Sequence, residues 1–329
     1  MRWGLLSTAR INRRLMPAIR QSARGELAAV ASRSQAAADA YAQEWDIPLA
    51  FGSYEAMLAS DAVDAVYIAL PNHLHAEWTI NSLAAGKHVL CEKPFALSLA
   101  EVDAVAEAGQ RYGRVVMEAF MYRFHPQMKT LGAWVRSGLL GSIAYVVGRF
   151  GFPLLDESNV RWRPEWGGGC LWDVGAYPVS LAQYIYDGPP LRVTAVQRLG
   201  QTGIDISFAG QLEYAGGGVA HVESSFQTPF HQEARIVGTV GYVEIERPFN
   251  PLEPVPLSMV FRGKDGRSEV IPIADEYLYL GEVENMQAAI LDGAPPYLTL
   301  AETRNHVRTI LALYKAAAEG RVVELAEIT

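Results

Sequence analysis

The sequence predicts an α/β fold followed by an α+β fold in one chain. Residues 1–121 read as a doubly wound parallel sheet, and residues 122–329 read as a domain on an open, mostly antiparallel sheet. Three observations predict this. Apolar strand-like runs alternate with helix-like runs through the first 120 residues, a pattern that buries a parallel sheet under helices on both faces. After about residue 122, strand-like runs follow one another without intervening helices, which indicates an antiparallel sheet. The chain is also long enough for two domains, at 329 residues, and ordinary in composition, being 50% hydrophobic and 19% charged.

"WGLLSTAR" (3–10) reads as a buried strand running into a turn, and "INRRLMPAIRQS" reads as the helix that follows. "ELAAVASR" (26–33) is a strand with a polar exit, and "SQAAADAYAQEW" (34–45) an alanine-rich helix. "AVDAVYIALP" (62–71) is a long buried strand, and 73–87 a helix for which Gly86 suits the C-terminal cap. Proline stops the strand "HVLCEKP" (88–94). The helix at 98–113 opens with Ser98 and Glu101 in a capping-box pattern, and the strand "RVVMEAF" (114–120) follows. In the second half, "PQMKTLGAWVRSG" is a helix and "SIAYVVGRFGF" alternates as a strand. Further strands lie in 191–199, 205–227, 233–246 and 257–273, the last folded back at the hairpin turn "KDGR". Two helices, near 279–292 and 300–319, complete the second domain.

Composition excludes several function classes. The net charge is −8 without a basic cluster, which argues against nucleic acid as a partner. No apolar run approaches the ~20 residues of a membrane span. Arg13 and Arg14 have no apolar segment after them, so they are not an export signal. Cys91 and Cys170 are the only cysteines, too few for a disulfide framework, and the expectation is a reduced, cytoplasmic protein. His73 and His75 point to different helix faces, no HExxH or cysteine–histidine cluster occurs, and no metal is expected.

Ligands of doubly wound sheets bind at the carboxyl ends of the strands. Those ends read "STAR", "SR", "LPNH", "CEKP" and "MEAF". Lys93 stands at such an end, with Pro94 fixing the backbone beside it. Later, the glycine-rich run 167–169 enters an apolar helix carrying Asp173 and Tyr177, which share a face at i and i+4. A tyrosine is a useful acid/base for interconverting a carbonyl and an alcohol, but its free pKa of about 10 is too high for neutral pH. A nearby ammonium stabilises the phenolate, so Lys93 with Tyr177 makes a working proton-transfer pair. Asp173 either orients the lysine or holds a substrate hydroxyl.

"WGLLSTARI", "VASRS", "ALPNHLHAEW", "GKHVLCEKPFALS", "MEAFMYRFHPQ" and "NVRWRPEWGGGCLWDVGAYPVSLAQY" occur in that order. Together they resemble the glucose–fructose oxidoreductase / inositol dehydrogenase / MocA (Gfo/Idh/MocA) family across roughly the whole chain. Having tyrosine at 177 is similar to the branch that holds NADP-dependent D-xylose dehydrogenase and dimeric dihydrodiol dehydrogenase. The resemblance implies a Rossmann domain and catalytic roles for Lys93 and Tyr177, with Asp173 assisting. It implies cofactor contacts from Ser7, Thr8, Ala9, Arg10 and Ile11 in the first turn, and from Leu70, Pro71, Asn72 and His75 along the dinucleotide. Glu92 and Lys93 would approach the nicotinamide ribose, Arg161 would reach in from the second domain, and Phe120, Tyr122 and Trp172 would line the substrate pocket. Gly4, Ser7 and Ala9 occupy the positions where this family usually has glycine.

Cofactor choice has its own argument. NAD sites usually place an acid at the end of the second strand, for the ribose 2′-hydroxyl. Here that end carries Ser32 and Arg33 and no acid, which suits a 2′-phosphate and predicts NADP over NAD. The resulting expectation is an NADP-dependent oxidoreductase of a sugar or cyclic alcohol, acting as a D-xylose-like aldose 1-dehydrogenase. Its rivals are a reductase of nucleotide-linked ketosugars, a trans-dihydrodiol dehydrogenase, an enzyme that retains its cofactor between turnovers, and a non-enzymatic NADP-binding regulator. The open sheet of the second domain, with one face uncovered by helices, is the expected surface for a homodimer or homotetramer.

Overall fold

The computed structural model describes residues 1–250 and 257–329. Its contacts divide the chain into two compact units, Met1–Phe124 with Tyr279–Arg304, and His125–Leu278 with Asn305–Thr329.

The first unit holds a six-stranded parallel sheet of β1 (Arg2–Leu6), β2 (Glu26–Ala31), β3 (Leu49–Phe51), β4 (Ala65–Ile68), β5 (His88–Glu92) and β6 (Val116–Ala119). Their spatial order is β3-β2-β1-β4-β5-β6, so the chain reverses direction across the sheet between β1 and β4. That reversal is where a doubly wound fold opens a crevice at its strand ends. Leu5 pairs with Val30 on one side and Tyr67 on the other, and all three are fully buried. Helices α1 (Asn12–Gln21), α2 (Gln35–Trp45), α3 (Tyr54–Leu58), α4 (His75–Ala84) and α5 (Leu99–Tyr112) connect the strands. The expected capping box forms at α5, where Ser98 Oγ accepts the Glu101 N–H at 3.2 Å and the Glu101 carboxylate accepts the Ser98 N–H at 3.1 Å. Gly86 follows α4 with φ of +79°, as a left-handed cap requires. The short pair β3 and α3 lies outside the sequence reading, because three strand residues carry too little periodicity to register.

The expected division after residue 121 differs from the observed one at the C-terminal end. Helix α8 (Leu280–Leu291) and the first turn of α9 (Leu300–Glu319) pack into the first unit. The reason is a set of long-range polar bonds. Gln287 Oε1 accepts the Ser22 hydroxyl at 2.7 Å, and Thr303 donates to the buried Glu118 at 2.9 Å. Arg123 pairs with Glu302, and Arg304 with Asp103 at 2.6 Å. Val283 and Met286 of α8 are fully buried.

The second unit is built on nine strands, β7 (Ile143–Gly151), β8 (Arg192–Leu199), β9 (Asp205–Glu213), β10 (Val219–Ser225), β11 (His231–Gly238), β12 (Gly241–Ile245), β13 (Ser258–Gly263), β14 (Ser268–Pro272) and β15 (Val323–Glu324). The order is β14-β13-β12-β11-β7-β10-β9-β8-β15, and only the β7–β10 pair is parallel among the described residues. The predicted "KDGR" hairpin joins β13 to β14, with Gly266 at φ +85° in the turn. Helix α6 (Pro126–Arg136) opens the unit, and every residue of α7 (Ala176–Tyr186) except Tyr184 and Tyr186 is buried. An apolar sequence on all sides of a helix suits such burial.

The start of α6 carries a titratable cap. His125 Nδ1 accepts the Gln127 N–H at 3.3 Å, which requires an unprotonated nitrogen. Burial pushes His125 down to about 4. The unfolded chain therefore takes up this proton near the ordinary histidine value while the folded chain resists it, and stability falls as pH drops from about 6.5 toward 4. Asparagine keeps an acceptor at this cap without titrating. His125→Asn should gain about 1–2 kcal/mol relative to the wild type between pH 7 and pH 4.5. Urea midpoints at the two pH values measure this, and an unchanged difference between the proteins would contradict the assignment.

Candidate active site

The first cluster of interest is the turn after β1. Ser7 lies at φ +142°, a conformation that favours glycine. Three bonds hold it there. Its hydroxyl donates to the Ala69 carbonyl at 3.1 Å and accepts the Ala9 N–H at 3.3 Å, while the buried Asn12 side chain donates to the Ser7 carbonyl at 2.8 Å. Gly4 answers a different demand, since a Cβ there would press on Met57 and Val63 at 2.9 Å. Thr8, Ala9 and Ile11 are half-buried and Arg10 is exposed. No side chain caps the first amides of α1, and no acid stands in its first turn. The amides of Asn12, Arg13 and Arg14 donate instead to the carbonyls of Ala9, Arg10 and Ile11 at 3.1, 3.3 and 2.8 Å, so what this start offers an anion is the positive end of the helix dipole. At the end of β2, Ser32 donates its N–H to the Phe51 carbonyl at 3.0 Å, and Arg33 is exposed with no acid beside it in sequence. These features fit a phosphate-bearing dinucleotide.

The ends of β4 and β5 are tied by one histidine. His75 is 1% exposed, and its two ring nitrogens lie 2.8 Å from the carbonyl oxygens of Leu70 and Pro94. Burial pushes its pKa down, with a smaller push from the charge of Lys93. A neutral ring donates to one of these two carbonyls, which fixes it between the "LPNH" and "CEKP" turns, and its expected place along the dinucleotide is compatible with that bond. Leu70 is buried, and Pro71 and Asn72 are half-buried at the start of that helix. The Lys93–Pro94 peptide bond is cis. Glu92 accepts the Tyr67 hydroxyl on one oxygen and the Lys93 N–H at 3.2 Å on the other. Glu282 of α8 is fully buried, and burial followed by the nearby charge of Glu92 raises its carboxyl well above the usual range. Phe120 and Tyr122 are buried and meet edge to face at 5.4 Å.

The second unit assembles the other expected residues. Leu171–Gly175 form a widened π turn that runs directly into α7. Pro178 explains the widening, because it has no N–H for the Val174 carbonyl and its ring crowds that oxygen in a regular α-helix. Asp173 sits in this turn, and its Oδ2 accepts Arg161 Nε at 2.6 Å. The structure thus brings Asp173 and Arg161 together as an ion pair, a partnership the sequence reading did not foresee. Gly169, at φ +123°, has its N–H on the Arg161 carbonyl at 3.2 Å, which folds the "NVR" segment back onto the turn. Tyr177 is 5% exposed, flanked by Phe150 at 5.4 Å and Phe249 at 5.6 Å, which stack on each other. Trp172 is buried with its ring 5.8 Å from Tyr314. A separate concavity of about 430 Å³ over β8, β9 and β10, with Val196, Ser207, Glu223 and His231 in its lining, contains none of the expected site residues.

Two further residues escape the sequence reading. Asn12 bonds the Ser7 turn, and Asp205 bonds the start of the π turn. The available signal for Asp205 is an aspartate opening an otherwise strand-like run, where that residue is disfavoured. Among the described residues no group of histidine, cysteine and carboxylate side chains is placed to hold a metal, and no helix is long and apolar enough to cross a membrane.

Residues 1–120 match the Gfo/Idh/MocA model, described as an oxidoreductase family with an NAD-binding Rossmann fold, and residues 128–244 match the Gfo/Idh/MocA C-terminal domain. A D-xylose 1-dehydrogenase (NADP(+)) of Haloferax volcanii is 41% identical over 328 residues, 99% of this chain and 100% of the relative. A trans-1,2-dihydrobenzene-1,2-diol dehydrogenase of Mus musculus is 32% identical over 99% of this chain and 92% of its own. Among solved structures, a 3-ketoreductase from Actinomadura kijaniata in complex with NADP and TDP-benzene superimposes with a TM-score of 0.88 at 27% identity, covering 96% of this chain and 97% of that one. An aldose-aldose oxidoreductase from Caulobacter crescentus does so with a TM-score of 0.90 at 28% identity, covering 98% and 99%.

The Ser7 geometry gives a test with opposed outcomes. Ser7→Ala keeps the unfavourable φ and loses both hydroxyl bonds, so it should destabilise by about 1–2 kcal/mol. Ser7→Gly loses the same bonds but relieves a backbone cost of about 1–3 kcal/mol, and should stay within about 1 kcal/mol of wild type. Urea unfolding of the two variants decides it. A glycine variant less stable than the alanine variant would show that φ at this position carries no penalty.

Proposed function

The chain belongs to the Gfo/Idh/MocA oxidoreductase family, and from that premise we propose that it is an NADP-dependent dehydrogenase of a sugar or cyclic alcohol, with an aldose such as D-xylose oxidised at its anomeric carbon. The observation that carries this reading is the full-length 41% identity to a D-xylose 1-dehydrogenase (NADP(+)), with Lys93 and Tyr177 both in place. The 3-ketoreductase likeness supports a second reading, reduction of a nucleotide-linked ketosugar by the same residues.

A bound nicotinamide supplies the hydride-accepting carbon. Tyr177 takes the proton of the reacting hydroxyl, and the Lys93 ammonium stabilises the phenolate form that can accept it. Arg161 and Asp173 hold each other, so the pair presents a fixed arginine and a carboxylate with one oxygen already engaged. The turn of Thr8, Ala9, Arg10 and Ile11, at the positive end of the α1 dipole and with no acid in the helix's first turn, would hold the pyrophosphate. Ser32 and Arg33 would hold the 2′-phosphate by charge-assisted bonds. Leu70, Pro71, Asn72 and Glu92 line the strand ends in this reading, and Phe120, Tyr122 and Trp172 shape the substrate side. We place the protein in the cytoplasm, supported by its two free, buried thiols at Cys91 and Cys170. A homo-oligomer through the second unit's sheet is supported by Val196 and Leu199 on β8, which are 69% and 55% exposed.

A panel of aldoses, cyclitols and diols, run with NADP and with NAD while following nicotinamide absorbance, tests the reading directly. Turnover should appear with an aldose and NADP; tight NADP binding with no turnover on any substrate would favour a regulator instead. Tyr177→Phe and Lys93→Met should each lower kcat by about 10²–10⁴-fold while NADP still binds. Near-normal turnover in Tyr177→Phe would remove the acid/base assignment. Arg33→Ala should raise KM for NADP about 10–100-fold and leave KM for NAD nearly unchanged. Equal losses with both cofactors would show that Arg33 does not read the 2′-phosphate.

A further inference from the structure

We propose that Asp205, on β9 of the second unit, is the positioning residue that sets where Tyr177 stands, by anchoring the first residue of the π turn that leads into α7. The proposal rests on the reading of Tyr177 as the acid/base. Asp205 is 2% exposed and faces three donors. Its Oδ2 accepts the Leu171 N–H at 2.7 Å and the Cys170 thiol at 3.1 Å, and its Oδ1 accepts the Tyr314 hydroxyl of α9 at 2.8 Å. Both oxygens are acceptors only, so the site is built for a carboxylate rather than a carboxamide.

The need for an outside anchor follows from the turn itself. The first amides of any helix lack intrahelical partners, and Leu171 is the first residue of this one. The turn is also wider than an α turn, and Pro178 cannot reinforce it from the next turn along. Local hydrogen bonds therefore leave its starting point under-determined, and the carboxylate supplies the missing constraint. Room for that carboxylate exists because position 169 is glycine; a Cβ there would collide with Asp205 Oδ1. The thiol is fixed in turn by Ser224, whose hydroxyl donates to Cys170 Sγ at 3.3 Å. From Leu171 the helix runs continuously to Asp173 and Tyr177, so a displacement at its start is carried to the phenol. A misplacement of roughly 1 Å can cost a reaction about 10²-fold.

The test is a double-mutant cycle in the full-length protein. Asp205→Asn keeps the shape but offers one acceptor oxygen where the three donors now share two, and it loses the charge. Its kcat should fall about tenfold, with KM for NADP within twofold and cooperative thermal unfolding retained. In the Tyr177→Phe background the same substitution should cause no further loss, because the group being positioned is gone. A residue with a merely structural role lowers the residual rate in both backgrounds. A kcat within twofold of wild type in Asp205→Asn, or a second tenfold loss on top of Tyr177→Phe, overturns the proposal. Near-normal turnover in Tyr177→Phe alone removes the reading beneath it, and the proposal with it.

Discussion

A buried polar group must find a partner, and three such groups in this protein find theirs in backbone atoms of the turns proposed to carry the chemistry. Asn12 binds the Ser7 carbonyl, His75 stands between the carbonyls of Leu70 and Pro94 and donates to one of them, and Asp205 binds the Leu171 amide. Each of these side chains is at most 2% exposed. Asp205 ties a helix start to a strand 34 residues further on, and Asn12 closes the turn five residues before it. Removing one leaves an unpaired buried backbone group, costing about 1–3 kcal/mol. The same bond that satisfies the side chain therefore fixes the functional turn, and stability and site geometry are one constraint.

Much of the fold is legible in the sequence because it depends on periodicity. The apolar run at 62–71 announces β4, and alternation announces β7 and the hairpin of β13 and β14. Local chemistry is legible too, as the Ser98–Glu101 box at α5 shows. What escapes is what depends on distance along the chain. Nothing around residue 280 says that α8 packs with residues near 22, because the ties are a hydrogen bond between Ser22 and Gln287, an ion pair between Arg24 and Asp292, and the burial that surrounds them. The site divides the same way. Lys93, Asp173 and Tyr177 are visible as reactive residue types, whereas the pairing of Asp173 with Arg161 and the anchoring by Asp205 depend on how the chain folds back. Ser7 is a third case, since its φ of +142° belongs to the turn and serine gives no sign of it.

Serine at position 7 shows how a turn tolerates a residue that its backbone disfavours. A glycine there would be relaxed but would bring no side chain. Serine accepts the strain and in exchange ties the turn to Ala69, just beyond β4, through its hydroxyl, across the point where the sheet reverses. The two terms are of similar size, so the missing glycine does not imply a lost dinucleotide site. In the proposed reading the pyrophosphate is drawn by the positive end of the α1 dipole, whose first turn carries no acid, and the serine leaves that in place.

The division of labour between near and distant residues has a mechanistic consequence. Residues that touch a ligand change binding and chemistry together when altered. An anchor such as Asp205, whose carboxylate is engaged by the Leu171 amide, the Cys170 thiol and the Tyr314 hydroxyl, acts through geometry. Geometry weighs most where tolerance is smallest, and proton transfer across a hydrogen bond tolerates far less displacement than the packing of an adenine or a sugar ring. Such an anchor should therefore express itself in turnover more than in affinity. A site built this way gains its accuracy from the interior of each unit, and the reactive side chains need only be the right chemical type at the end of a well-held turn.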